Sequence, residues 1–174
     1  MRQLSFIFLM VGAFILTSCG AVSVSTDYDR TANFNTYKTY SFHQKGLDKL
    51  KVNDLDKRRL ISAIEQEMSN KGFIKVNSDA DLVVNVLTSS SQEVYINNDR
   101  FGGYGYGYWG GMYPTVSDYT SGKIILDIVD DKRNILVWQG IGNGLNVDNV
   151  SAKSEKIPQA VNEILKKFPP QPKK

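Results

Sequence analysis

A chain of 174 residues with 41% hydrophobic side chains is of the size for one domain around a single core. Its formal charge of +3 comes from basic residues that are spread along the chain, apart from Lys57-Arg58-Arg59 and the Lys173-Lys174 end. This pattern argues for solvated faces and against a nucleic-acid footprint. The single cysteine excludes an intrachain disulfide, so the fold must rest on its core and its hydrogen bonds.

Residues 1–18 have the layout of an export signal, with Arg2 as a short positive start, an apolar run over residues 4–16 and small residues leading into Cys19. Leu16-Thr17-Ser18-Cys19 reads as a bacterial lipobox. The apolar run is about a dozen residues long, and a membrane-spanning helix needs roughly 20. Residues 1–18 are therefore expected to be cleaved, leaving Cys19 at the new amino terminus to carry lipid, palmitate included. A lone thiol is otherwise an oxidation liability in an exported protein. Several acyl chains, at ~0.8 kcal/mol per buried methylene, hold a protein far more firmly than one myristoyl group. Gly20 follows Cys19, and the first acidic residue is Asp27. In the enterobacterial sorting rule an Asp beside the lipidated Cys retains a protein in the inner membrane. Its absence here favours the outer membrane, with the domain facing the periplasm.

Residues 19–26 are expected to combine the lipidated tether with the start of a first strand, because Val22, Val24 and Thr26 alternate with Ser23 and Ser25. Residues 27–170 then form one domain, and residues 171–174 a disordered tail. Residues 27–35 are polar and turn-like, and residues 37–42 read as a second strand, ending at His43. The sole histidine invites a catalytic reading, but no nucleophile stands near it in sequence. After a loop over residues 46–53, Leu60, Ile61, Ile64 and Met68 recur at helical spacing. The spacing predicts a helix over residues 54–71, capped by Asn53 or Asp54 and terminated at Gly72.

The run Leu82-Val83-Val84-Asn85-Val86-Leu87 is β-branched almost throughout and predicts an interior strand covered on both faces. Residues 92–96 continue it, as a further strand or as the same strand after a bend. Residues 101–114 are rich in glycine and aromatics, the pattern of a long irregular loop or hairpin end. Its rings either fold back over the sheet as a lid or form a contact surface. On the second reading Tyr104, Tyr106, Tyr108, Trp109 and Tyr113 are the candidate contacts for an envelope protein or polymer.

Residues 122–130 return to alternation, and with residues 135–138 they form the strongest hairpin in the chain, around a turn over residues 130–134. Asp127, Asp130 and Asp131 miss the spacing of a calcium loop, and turn chemistry explains the last two. No metal or cofactor is expected. Gly140-Ile-Gly142-Asn-Gly144 lacks a third glycine at dinucleotide-binding spacing and opens no helix. Ser154 is the expected cap of a last helix, whose apolar face is Ile157, Val161, Ile164, Leu165 and Phe168. Pro169-Pro170 ends it.

Several short motifs in a fixed order carry a family resemblance. They are Val24 to Asp29 as Val-x-x-Asp-Tyr-Asp, then Asn33-Phe34-x-x-Tyr37-Lys38-Thr39-Tyr40, Lys71-Gly72-Phe73 and Ala80-Asp81-Leu82-Val83-Val84. The Gly/Tyr segment, Leu136-Val137-Trp138-Gln139-Gly140 and Phe168-Pro169-Pro170 follow. The chain resembles the DUF4136 family of bacterial lipoproteins over essentially its whole mature length. The resemblance implies an α+β domain on the periplasmic side of a membrane and transfers no catalytic residue. Relatives often carry Trp-Arg-Gly where this chain has Trp138-Gln139-Gly140.

The predicted architecture is α+β: an antiparallel or mixed sheet of about five to six strands with two amphipathic helices on one face. The expected role is a non-catalytic binding or assembly module, held to the membrane by Cys19. The competing role is an envelope hydrolase using paired carboxylates such as Asp127 and Asp130, which nothing in the sequence marks out.

Overall fold

The computed structural model describes residues 22–97 and 115–170, with side chains described outside 92–97 and 115–119. Cys19, the Gly/Tyr segment and the carboxy-terminal tail lie outside the described residues. Among the described residues, six strands and three α-helices follow one another: β1 (Ser23–Tyr28), β2 (Thr39–Phe42), α1 (Gln44–Asp48), α2 (Asp54–Asn70), β3 (Ile74–Lys75), β4 (Leu82–Asn97), β5 (Thr115–Asp130), β6 (Ile135–Asn146) and α3 (Lys153–Leu165). The strands form one mixed sheet in the order β1-β6-β5-β4-β2-β3. β2 runs parallel to both β3 and β4, and the other pairs are antiparallel. A parallel pair needs a long crossover, and α1 and α2 supply it between β2 and β3. The α+β architecture is as the patterning predicts. Among the described residues, no helix is long and apolar enough to cross a membrane.

α2 and α3 pack side by side on one face of the sheet. Leu60, Ile64 and Met68 of α2 and Val161, Ile164 and Leu165 of α3 are almost fully buried against Leu82, Val84, Leu126 and Ile128. Asn53 caps α2 by accepting from the Asp56 N–H at 2.9 Å, and Gly72 takes the left-handed conformation (φ 83°) that closes it. Phe168 ends the last helical segment against Trp138, Phe73 and Phe34, with ring centroids 5.2, 5.5 and 6.0 Å away.

The glycine run dismissed as a nucleotide motif is the seat of α3. Residues 140–144 lie within β6, and a Cβ on Gly140 would come within 2.5 Å of Ile164 Cγ2. Bare backbone at Gly140 and Gly142 lets the helix settle onto the strand.

Several boundaries differ from the sequence reading. β1 runs on through Asp27 and Tyr28, because pairing with Gln139 and Trp138 continues past the hydrophobic alternation. β2 begins only at Thr39, and the expected loop over 46–53 starts inside the short helix α1, whose Leu47 is buried. β4 is a single strand through Asn97, unbroken at residues 92–96. β4 is also not covered on both faces: Leu82, Val84 and Val86 are buried, while Leu87 is 41% exposed. Its β-branched run is explained by the half-wet second face, where Leu87 pairs with Ile125 and Ile125 with Ile141. Ser154 does not cap α3. Its hydroxyl donates to the Ser151 carbonyl, and Asn149 instead accepts from the Ala152 N–H at 3.1 Å.

Candidate functional site

The two carboxylates proposed as a pair are on opposite faces of β5. Asp127 looks out from the half-wet face and accepts from Gln139 Nε2 at 2.7 Å, at the position where the resemblance leads one to expect an arginine. Asp130 is buried on the helix side, where it accepts from Tyr37 Oη and Arg133 Nε, both at 2.8 Å. Burial alone would raise the Asp130 pKa. The hydrogen bonds from Arg133 and Tyr37 outweigh it and hold the carboxyl below its ordinary value. Burial and the Asp130 contact push the Tyr37 hydroxyl up. This trio ties the β5–β6 turn to the segment entering β2. Among the described residues there is no group of three metal-ligating side chains.

His43 is exposed at the end of β2, its Nδ1 3.3 Å from Asn85 Oδ1. It stands on the wall of a cleft of about 850 Å³, which sequence reading did not anticipate. The cleft exists because neighbouring elements end at different points. β2 stops where Phe42 pairs with Val84, whereas β4 continues to Asn97. Beyond Val84, α1 and residues 49–53 take the place of a neighbouring strand. The first turns of α2 and α3 and residues 145–147 complete the walls.

The floor is apolar. Val86, Ile124, Leu145 and Ile157 are buried there, and Leu50, Val52 and Val147 pack partly buried around them. Gly122 lets this wall close, since a Cβ there would stand 2.6 Å from Val147 Cγ1. Thr88 also lines the cleft, with a buried hydroxyl oxygen that has no hydrogen-bond partner among the described residues.

The walls are cationic. Lys45, Lys49, Lys51, Lys123, Lys153 and Lys156 line the cleft, and Asp56 is the only acidic residue of its lining among the described residues. Asp56 is already committed: Arg59 Nη1 lies 2.6 Å and Lys153 Nζ 3.1 Å from its oxygens, and Asn53 Nδ2 donates at 2.8 Å. Burial would raise its pKa, but these donors prevail and lower it. Lys45, Lys49, Lys51 and Lys123 are exposed and have no ion-pair partner among the described residues. The amino ends of α2 and α3 both open here, adding the positive ends of two helix dipoles. The arrangement favours negative charge at the rim and hydrocarbon on the floor.

Strand register fixes what else lies at this end. Ser23 pairs with Asn143, and Val22 reaches the same glycine-lined patch, 3.2 Å from where a Gly142 Cβ would stand. The chain thus enters the domain beside the end of β6, whose Leu145 and Asn146 line the cleft. The β4–β5 ladder leaves from the same end. Beyond Ser91 and Thr120 it is two strands wide and continues to the pair Asn97 and Thr115, roughly 20 Å further at strand rise.

Comparison with known proteins agrees with this fold. A PDZ domain protein from Parabacteroides distasonis superposes with a TM-score of 0.52 at 14% identity, covering 86% of this chain. The chain spans only 36% of that longer protein. A DUF4136 family protein from Bacteroides thetaiotaomicron gives 0.51 at 20% identity, covering 82% of this chain and 95% of that one. The PelC dodecamer from Paraburkholderia phytofirmans gives 0.50 at 10% identity over 83% and 95% of the two chains. No curated protein matches the chain significantly. The model of the family described as a domain of unknown function, DUF4136, matches residues 24–170, so this chain belongs to that family.

Proposed function

We propose that the protein is a lipid-anchored module of the cell envelope, facing the periplasm, that binds a ligand or partner and catalyses no reaction. The observation that carries this reading is the place where the chain enters the domain. The lipobox cysteine, Cys19, precedes Val22 by three residues, which span about 10 Å when extended. An acylated Cys19 therefore holds the cleft end of the domain close to the bilayer. Lysines at that end suit an anionic leaflet, each contributing about 1 kcal/mol near the surface. Gly20 after Cys19 supports the outer membrane as the destination. The Gly/Tyr segment, with Tyr104, Tyr106, Tyr108, Trp109 and Tyr113, lies between β4 and β5 in sequence and is proposed as the contact for an envelope protein or polymer. Asp127 and Asp130, the carboxylates named for a hydrolase, stand on opposite faces of β5 and do not form a pair.

Cell fractionation tests the anchor. The wild-type chain is expected in the membrane fraction, and Cys19→Ser in the soluble periplasmic fraction. Retention of Cys19→Ser in the membrane overturns the lipid anchor. Deletion of residues 101–113 is expected to abolish captured partners in crosslinked cells while leaving the membrane location unchanged.

A further inference from the structure

We propose that the lysine-lined cleft binds an anionic amphiphile, its acyl chain on the apolar floor and its phosphate or carboxylate headgroup at the rim. The proposal deepens the reading of a binding module but does not depend on the Cys19 anchor.

Three features converge on this ligand class. The cleft, of about 850 Å³, is within the ~300–1,000 Å³ range of small-molecule sites. Its floor, with Val86, Ile124, Leu145 and Ile157 at the base, would leave a purely polar anion over wet hydrocarbon. Its rim would leave Lys45, Lys49, Lys51 and Lys123 unpaired around a neutral acyl chain. A ligand with both parts satisfies both surfaces. Flexible lysine stems can follow the chain while their ammonium groups reach the headgroup in water. The one carboxylate in the wall among the described residues is no obstacle, because Asp56 is neutralised by Lys153 and Arg59. Thr88 adds a hydroxyl oxygen with no protein partner among the described residues.

The test uses the mature chain from residue 19 onward carrying Cys19→Ser, so that no lipid of its own takes part. Dodecyl phosphate is titrated below its micelle concentration and binding is read by calorimetry. One saturable site is expected, with affinity falling about fourfold for each methylene removed from the chain. Lys45→Glu, Lys49→Glu and Lys51→Glu together are expected to weaken binding at least tenfold with an unchanged melting curve, since all three side chains are exposed. Inorganic phosphate binding as tightly as dodecyl phosphate would overturn the acyl part and leave a simple anion site. Dodecyl maltoside binding as tightly would overturn the headgroup part. No saturable binding, or a triple variant that binds like the parent, overturns the site itself. A failed anchor would show in cell fractionation and leave this titration unchanged.

Discussion

Lys153 Nζ lies 3.1 Å from Asp56 Oδ2, joining the first turn of α3 to the first turn of α2 across 97 residues of chain. Asp56 also accepts from Arg59 and from the Asn53 side chain, while the Asn53 side-chain oxygen caps the Asp56 N–H. The Asp56 carboxylate therefore braces the Asn53 cap of one helix and holds the start of a second, and its own charge, the one negative charge of the cleft wall among the described residues, is neutralised by Arg59 and Lys153.

Asp56→Ala removes the carboxylate contacts to Asn53, Arg59 and Lys153 but keeps the backbone N–H that Asn53 caps. The loss leaves Lys153, whose side chain is 17% exposed, without its partner in the wall. We expect destabilisation of about 3 kcal/mol, read as a lowered urea midpoint at constant slope. Asn53→Ala, which removes only the cap and its return bond, should cost about 1 kcal/mol.

Acid should destabilise the fold through three carboxylates. Asp56, Asp81 and Asp130 each titrate below the ordinary 3.8 in the folded chain. For Asp81 the leading cause is the hydrogen bonds from the Lys38 and Thr39 backbone N–H groups, at 2.9 and 3.0 Å. A depressed folded value means that the unfolded chain takes up protons first as pH falls. Their stabilisation is thus complete above the unfolded carboxylate range and is lost as pH drops from 3.8 through the lower folded values. Melting temperature should be steepest in pH there, and Asp130→Asn should flatten the slope while lowering the neutral-pH melting point.

Gly142 tests the seat of α3. A Cβ there would stand 2.8 Å from Ile164 Cδ1 and 3.1 Å from Cγ1. Gly142→Ala is expected to cost about 1–3 kcal/mol through overpacking. Ile164→Val removes the Cδ1 atom and should relieve part of that cost. The double mutant would then be more stable than the sum of the single effects predicts. Strict additivity in denaturant titrations would show that α3 does not rest on this glycine.

The Tyr37 hydroxyl donates to Asp130 and accepts from Arg133 Nη2 at 2.9 Å. Tyr37→Phe keeps the ring against Phe34 and removes only these bonds. A loss of about 1–2 kcal/mol is expected, because the Asp130 carboxylate is buried and loses one donor.

Much of the fold was legible because its signals are local. Alternation over Ile124, Leu126 and Ile128 places these side chains on the buried face of β5. Helical spacing of Leu60, Ile64 and Met68 does the same for α2, and Asn53 and Gly72 mark its ends. Strand parity already separates Asp127 from Asp130, since residues three apart in a strand point to opposite faces. The 82–87 run misled for a related reason: β-branched residues suit a pleated surface whether its second face is covered or half-wet.

By itself, the sequence determined the α+β class, the two longer helices, the Asn53 and Gly72 ends of α2 and the family motifs, each written within a dozen or so neighbouring residues. Only the tertiary structure decided that four lysines without acid partners among the described residues, from α1, the α1–α2 connection and β5, meet around one apolar floor, and that Gly140 and Gly142 carry a helix. It also decided that the chain enters the domain at the cleft end. Residues such as Lys45 and Lys123 are 78 positions apart, and what joins them is strand register and unequal strand length. Those are properties of pairing between distant segments, which no local pattern of charge or hydrophobicity encodes.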